Sequence, residues 1–145
     1  MANKFQKSIY IPKNPQKYIG KRAIICRSSW ERTFCIFCDN HPNIINWISE
    51  PFGIPYHDVI TNRQKLYWPD FLIIYIDING VRCGEIIEIK PENQTGIRKT
   101  KSKINNAQAI RNHCKWNSAL AYCAKNGLKF RLLTEAGFGF KGTKR

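Results

Sequence analysis

The residues with most chemical potential lie in one stretch, Tyr67 to Lys90, which reads YWPDFLIIYIDINGVRCGEIIEIK. Asp70 follows Pro69, and Glu88 stands two positions before Lys90. Two carboxylates suit a hard divalent cation, and a nearby ammonium suits the phosphate that such a cation would activate. Ionisable groups at the rim of buried strands are costly unless they bind something. The set therefore points to metal-dependent phosphodiester hydrolysis, provided both acids reach the same place.

Whether they do depends on the elements around them. Two apolar runs, Phe71 to Ile78 and Ile86 to Ile89, flank the turn signal Asn79-Gly80, so a β-hairpin is expected. Strand side chains alternate, placing Glu88 and Lys90 on one face and Ile87 and Ile89 on the other. A two-residue turn of Asn79 and Gly80 pairs Asp70 with Ile89 and sends the two acids to opposite faces. A three-residue loop, Ile78-Asn79-Gly80 with Gly80 left-handed, pairs Asp77 with Val81 and Asp70 with Glu88. The chemistry requires this odd loop, or else a bulge near Gly84.

Upstream, Ser28 followed by Glu31 fits a capping box, and Trp30, Phe34, Phe37 and Cys38 recur at helical spacing. This helix should end around Asn40-His41-Pro42. Glu31 has two readings, a cap for its own helix or a carboxylate added to the metal site. Residues 43–49 look like a strand, followed by extended segments through Ile54, Tyr56 and Ile60 and again into Lys65 to Trp68. Glu50 reads as a surface charge at a strand end, with a supporting carboxylate as the alternative. Neighbouring His57 and Asp58 would face opposite ways on a strand and are assigned to loop chemistry.

After Lys90 comes a polar loop with Arg98, Lys99, Lys101 and Lys103. A solvated charge run is the ordinary reading, but one that leaves directly from the acids is suited to gripping phosphates. Gln94, in the same loop, could position substrate. A second helix is expected from Ile104 to Asn126, with Ala107, Ile110, Cys114, Ala121 and Ala124 as its apolar stripe and Trp116, Leu120 and Cys123 beside it. Gln108, Arg111 and Lys115 fall on the other face, open to DNA or to water. Asn126-Gly127 stops the helix, and Leu128, Phe130 and Leu132 alternate as a last strand. The expected architecture is one α/β domain over residues 1–145, a mixed central sheet flanked by two main helices. Residues 1–25, broken by prolines, are read as an extended arm with little regular structure.

Composition narrows the class. The 24 Lys and Arg against 10 Asp and Glu give a formal charge of +14, which points to a polyanion such as double-stranded DNA. No apolar run has the length of a membrane span, and the N-terminus lacks the apolar core of a secretory signal. Neither a membrane partner nor a nucleotide cofactor is expected. Cys35-x2-Cys38, with His41 and His113-Cys114, could be assembled into a zinc site, but both cysteines fall within a helical pattern. Buried free thiols are the expected state of the six cysteines.

Pro69-Asp70 and Glu88-Ile89-Lys90 resemble the signature of the PD-(D/E)XK nuclease superfamily, and Ser29-Trp30-Glu31 is similar to a helix-borne glutamate in part of it. More broadly, YIPKNPQKYIG, RSSWE, WISEPFGIPY, WPDF, EIIEIKPENQT and FRLLTE resemble the head completion nucleases of T-even-type tailed bacteriophages. The resemblance implies a restriction-endonuclease-like core and DNA cutting late in head assembly, before tail joining. It also implies a location in the host cytoplasm during assembly, with retention in the virion left open. Head, portal or neck proteins are the implied protein partners. Asp70, Glu88 and Lys90 take the catalytic positions, with Glu31 as a fourth. Mg²⁺, with Mn²⁺ as a substitute, would sit on Asp70, Glu88 and the carbonyl of Ile89. Adjacent carboxylates favour a charged amine, so Lys90 is expected to position and stabilise rather than remove a proton. Arg27, Arg98, Lys99, Lys101 and Lys103 are the expected DNA contacts. The alternatives are a non-catalytic DNA-binding head or neck component, another PD-(D/E)XK nuclease such as a junction resolvase or transposon-end cutter, and a small zinc-stabilised nucleic-acid-binding module.

Overall fold

The computed structural model describes residues 6–90 and 103–134, with side chains from residue 106 onward in the second segment. The chain runs β1 (Ser8–Tyr10), a 3-10 turn (Pro15–Lys17), β2 (Ile24–Cys26), α1 (Ser29–Asn40), β3 (Ile44–Ser49), β4 (Ile54–Asp58) and β5 (Arg63–Tyr67). It continues through β6 (Phe71–Ile76), β7 (Arg82–Ile89), α2 (Lys103–Asn126) and β8 (Lys129–Leu133). Strands β3, β6, β7 and β8 form a four-stranded sheet in that order. β6 is antiparallel to both β3 and β7, while β8 joins β7 in parallel, as its long helical crossover permits.

Pairing along the central hairpin runs from Phe71 with Ile87 to Ile76 with Arg82, without interruption. That register requires the odd loop. Asp77 N–H donates to the carbonyl of Val81, the N–H groups of Asn79 and Val81 donate to the Asp77 carboxylate, and Gly80 takes φ +79°. Glycine adopts this left-handed conformation at little steric cost. One phase decision therefore assigns every side chain of β6 and β7 to its face.

Phe71, Ile73, Ile87 and Ile89 face α1, where Phe34, Cys35 and Cys38 complete a core with Trp47 and Leu133. Each large buried apolar side chain contributes roughly 1.5–3 kcal/mol. Cys26, Cys35 and Cys38 act there as small hydrophobes; all six cysteines are unpaired. Helix α1 starts as its sequence predicts, with Ser28 Oγ accepting the Glu31 N–H at 3.1 Å, and ends at Asn40.

The opposite face of the sheet meets α2, chiefly through residues beside the stripe read from sequence; of that stripe, Cys114 packs here. Trp116, Ala119 and Cys123 are buried, with Asn112 on the same face, whereas Ala121 and Ala124 are exposed and Ile110 is 46 % exposed. Positions 112, 116, 119 and 123 follow helical spacing equally well. The alanine-rich stripe was misleading because a buried asparagine and tryptophan mark the true contact. Trp116 and Ala119 pack on Ile54, Tyr56 and Tyr67 of β4 and β5, which form a separate antiparallel ribbon.

The described part of the N-terminal arm also departs from expectation: it is structured and bound to the body. β1 and β2 pair with each other, and the 3-10 turn follows β1. Tyr18 packs edge-on against Trp47 with ring centroids 4.7 Å apart. The anchor is Asp39, fully buried at the end of α1. Its carboxylate accepts from Tyr10 OH at 2.5 Å, Lys13 N–H at 2.7 Å and Asn14 N–H at 2.9 Å. Burial pushes the Asp39 carboxyl up, but these bonds outweigh it and hold it below the usual carboxylate range. Among the described residues, no helix is long and apolar enough to cross a membrane.

Candidate active site

Asp70 leads into β6 directly after the buried Pro69, and its carbonyl accepts the Glu50 N–H at 2.9 Å. Continuing the observed register by one residue sets Asp70 opposite Glu88, on the face turned away from Phe71 and Ile87. Asp70 Oδ2 accepts the Ile89 N–H at 2.7 Å, which ties the aspartate to the strand carrying the glutamate. Glu88 is buried, and its Oε1 accepts from Tyr67 OH at 2.6 Å. Lys90 Nζ lies 3.9 Å from Glu88 Oε2 and remains partly open to solvent.

The electrostatics show two acids confined together. Burial, then the charge of Glu88, pushes Asp70 far above its ordinary range. Burial also raises Glu88, while the Tyr67 hydrogen bond and the charges of Lys90 and Lys115 act in the opposite sense. Burial, reinforced by Glu88, raises the Tyr67 hydroxyl, so it remains a donor. Two buried carboxylates that oppose each other's ionisation make an all-oxygen donor set for a hard cation, which would relieve that opposition. The residues present therefore fit a divalent metal.

Glu31 lies at the edge of this group. Its charge raises both Asp70 and Glu88, and its own carboxyl is raised chiefly by burial. One carboxylate oxygen accepts the Arg27 N–H at 2.8 Å, so the capping reading describes the observed contact. Among the described residues, no three His, Cys, Asp or Glu side chains gather as a metal cluster. Arg27, expected to meet DNA, forms an ion pair with Glu50. Glu50 turns the chain at the end of β3 with φ 49°. Arg98, Lys99, Lys101 and Gln94 lie outside the described residues, as does the side chain of Lys103.

Sequence reasoning undervalued three groups. Tyr67 looked like an ordinary strand residue, yet it orients Glu88. Lys115 was left between DNA contact and wet surface; burial and the charge of Lys90 lower it, and it acts on Glu88. Asp58, assigned to a loop, is instead a fully buried strand residue paired with Lys65 at 2.9 Å and Arg111 at 3.2 Å. The available signal was the spacing of Arg111 and Lys115, four apart on one helix face.

Residues 41–135 match the family described as TnsA-like endonuclease N terminal. The chain is also similar to the head completion nuclease of Enterobacteria phage T4, at 35% identity over 147 aligned residues. That alignment covers 92% of this chain and 95% of the phage protein.

Proposed function

The chain belongs to the TnsA-like endonuclease N-terminal family and is homologous to the phage T4 head completion nuclease; on that basis we propose that it is a metal-dependent deoxyribonuclease acting in bacteriophage head completion, before head–tail joining. The observation that carries the proposal is the pairing of Asp70 with Glu88 on one face beside Lys90. The architecture, a four-stranded mixed sheet between two helices, agrees with a restriction-endonuclease-like PD-(D/E)XK core. Similarity over nearly the whole chain favours head completion over transposon-end cutting. The setting would be the host cytoplasm during assembly, with head, portal or neck proteins as partners.

Asp70, Glu88 and the Ile89 carbonyl would hold Mg²⁺, with Mn²⁺ as a substitute. Bound there, the ion supplies an acidified water and neutralises charge on the scissile phosphate. Tyr67 holds Glu88 through Oε1, and the Ile89 N–H holds Asp70 through Oδ2, so each acid retains one oxygen free of that bond. Lys90, anchored through its backbone N–H to the Leu133 carbonyl at 3.0 Å, directs its ammonium to the side where a phosphate would lie. It orients the attacking water and stabilises the pentavalent phosphate. Lys115 adds a second cation to the same side. Glu31 fixes the start of α1 against this edge.

The test is incubation with circular and linear duplex DNA, with and without Mg²⁺, alongside Lys90→Ala. Cleavage should require the metal, and the variant should lose roughly a hundredfold or more in kcat, the scale of removing one group that stabilises developing charge. Cleavage without metal, or an unimpaired Lys90→Ala, refutes this assignment.

A further inference from the structure

The β4–β5 ribbon carries a tip that neither the paired acids nor the core requires. Residues 59–62 form the turn, and there Val59 is 56 % and Ile60 42 % exposed. Beneath them Asp58 is 0 % exposed and holds the tip from within: it accepts from Ile60 N–H at 3.0 Å and from Thr61 Oγ1 at 3.0 Å. Lys65 and Arg111 close on the same carboxylate, which ties the turn to α2. Asn62 takes φ 58°, its N–H donates to the Asp58 carbonyl at 2.7 Å, and His57 bridges Asn62 and Gln64. Two aliphatic side chains are thus presented to solvent on a turn already fixed in shape.

The surroundings select the partner. Asp58 is the sole acid between residues 54 and 67, and two cations neutralise it, while Arg63 is exposed at the start of β5. A two-stranded ribbon fits a duplex groove, and aliphatic wedges flanked by cations enter between base steps. A preformed tip loses little freedom on binding. The spacing also suits DNA, because β5 leads directly to Asp70. From Asn62 to Asp70 the chain spans at most about 26 Å at ~3.3 Å per residue, which is no more than about eight base steps of ~3.4 Å.

We propose that Val59 and Ile60 form a wedge that enters a groove of duplex DNA within about eight base pairs of the phosphate held at Asp70 and Glu88. This inference rests on the nuclease reading above. It predicts a local disturbance of stacking at one place beyond the cut.

The test uses the full chain carrying Asp70→Asn and a duplex of about thirty base pairs, with 2-aminopurine moved stepwise along it and the cut position mapped with wild type. Fluorescence should rise in a narrow window within about eight base pairs of the cut. Val59→Ser/Ile60→Ser should abolish that rise and weaken binding roughly tenfold, whereas Val59→Leu/Ile60→Leu, which keeps the tip apolar, should retain both. Melting temperatures near that of the parent protein would show that the solvent-facing substitutions leave the fold intact, and Val59→Ser alone serves if the double variant unfolds. A silent probe at every position, or a serine variant that binds and disturbs DNA like its parent, overturns the wedge and leaves the tip to a protein partner. Wild-type cleavage, scored in parallel, separates the two readings. Normal cleavage with a silent tip removes only the wedge, whereas absence of cleavage removes the nuclease reading and with it the distance to a cut, and the fluorescence then decides only whether Val59 and Ile60 enter DNA.

Discussion

Asp70→Asn is expected to reduce metal-dependent DNA cleavage by at least about a thousandfold while leaving DNA binding intact. In the proposed site a divalent ion would depend on two carboxylates, and the substitution removes the charge of one. Asparagine has nearly the same shape, and its side-chain oxygen can still accept the Ile89 N–H, so the strand geometry should persist. Binding should persist because the formal charge of +14 supplies phosphate affinity independently of one buried acid. Parallel cleavage and gel-shift titrations measure the two separately. A variant that still cuts, or one that loses cutting only because it no longer binds, is inconsistent with a metal-holding Asp70.

The second large effect concerns stability. Asp39→Ala removes the acceptor shared by Tyr10, Lys13 and Asn14 and leaves the buried Tyr10 hydroxyl without that partner. Hydrogen bonds to a charged acceptor contribute roughly 1.5–3 kcal/mol each and are not additive, so a loss of about 3 kcal/mol is expected. For a domain of this size that lowers the melting temperature by about 10 °C. The pH dependence has a definite sign. The folded-state carboxyl lies below its ordinary range, so its contribution is present above the unfolded value near ~3.9 and is lost as pH falls through the lower folded value. The gap between wild type and Asp39→Ala should therefore be full at neutral pH and narrow below about pH 4 in thermal melts. The arm that these bonds anchor reaches the edge of the site: the Tyr18 hydroxyl oxygen accepts the Ser49 N–H, and the next residue, Glu50, donates its N–H to the Asp70 carbonyl.

The hairpin and its acids were legible in sequence for a definite reason. Apolar alternation fixed the faces, and the need to bring Asp70 and Glu88 together selected the three-residue loop with Gly80 left-handed. Ser28 and Glu31 likewise announced the start of α1 through local bonds. What remained hidden depends on contacts distant in the chain. Asp39 looks like a surface residue until the arm folds over it. Asp58 looks like loop chemistry until Arg111, from α2, reaches it. The face of α2 was ambiguous because alanines and cysteines offer several plausible stripes, and only the ribbon against it shows that Asn112, Trp116, Ala119 and Cys123 are buried. Tyr67 and Lys115 gained significance only when the fold placed them around Glu88.

The central claim is that Asp70 and Glu88 share one divalent ion. Mn²⁺ titration followed by electron paramagnetic resonance, without DNA, measures this directly in wild type, Asp70→Asn and Glu88→Gln. The account predicts a bound ion in wild type and a loss of affinity of roughly tenfold or more in each variant, since each would remove the charge of one of the two carboxylates proposed to hold it. Equal Mn²⁺ binding by all three proteins would contradict it.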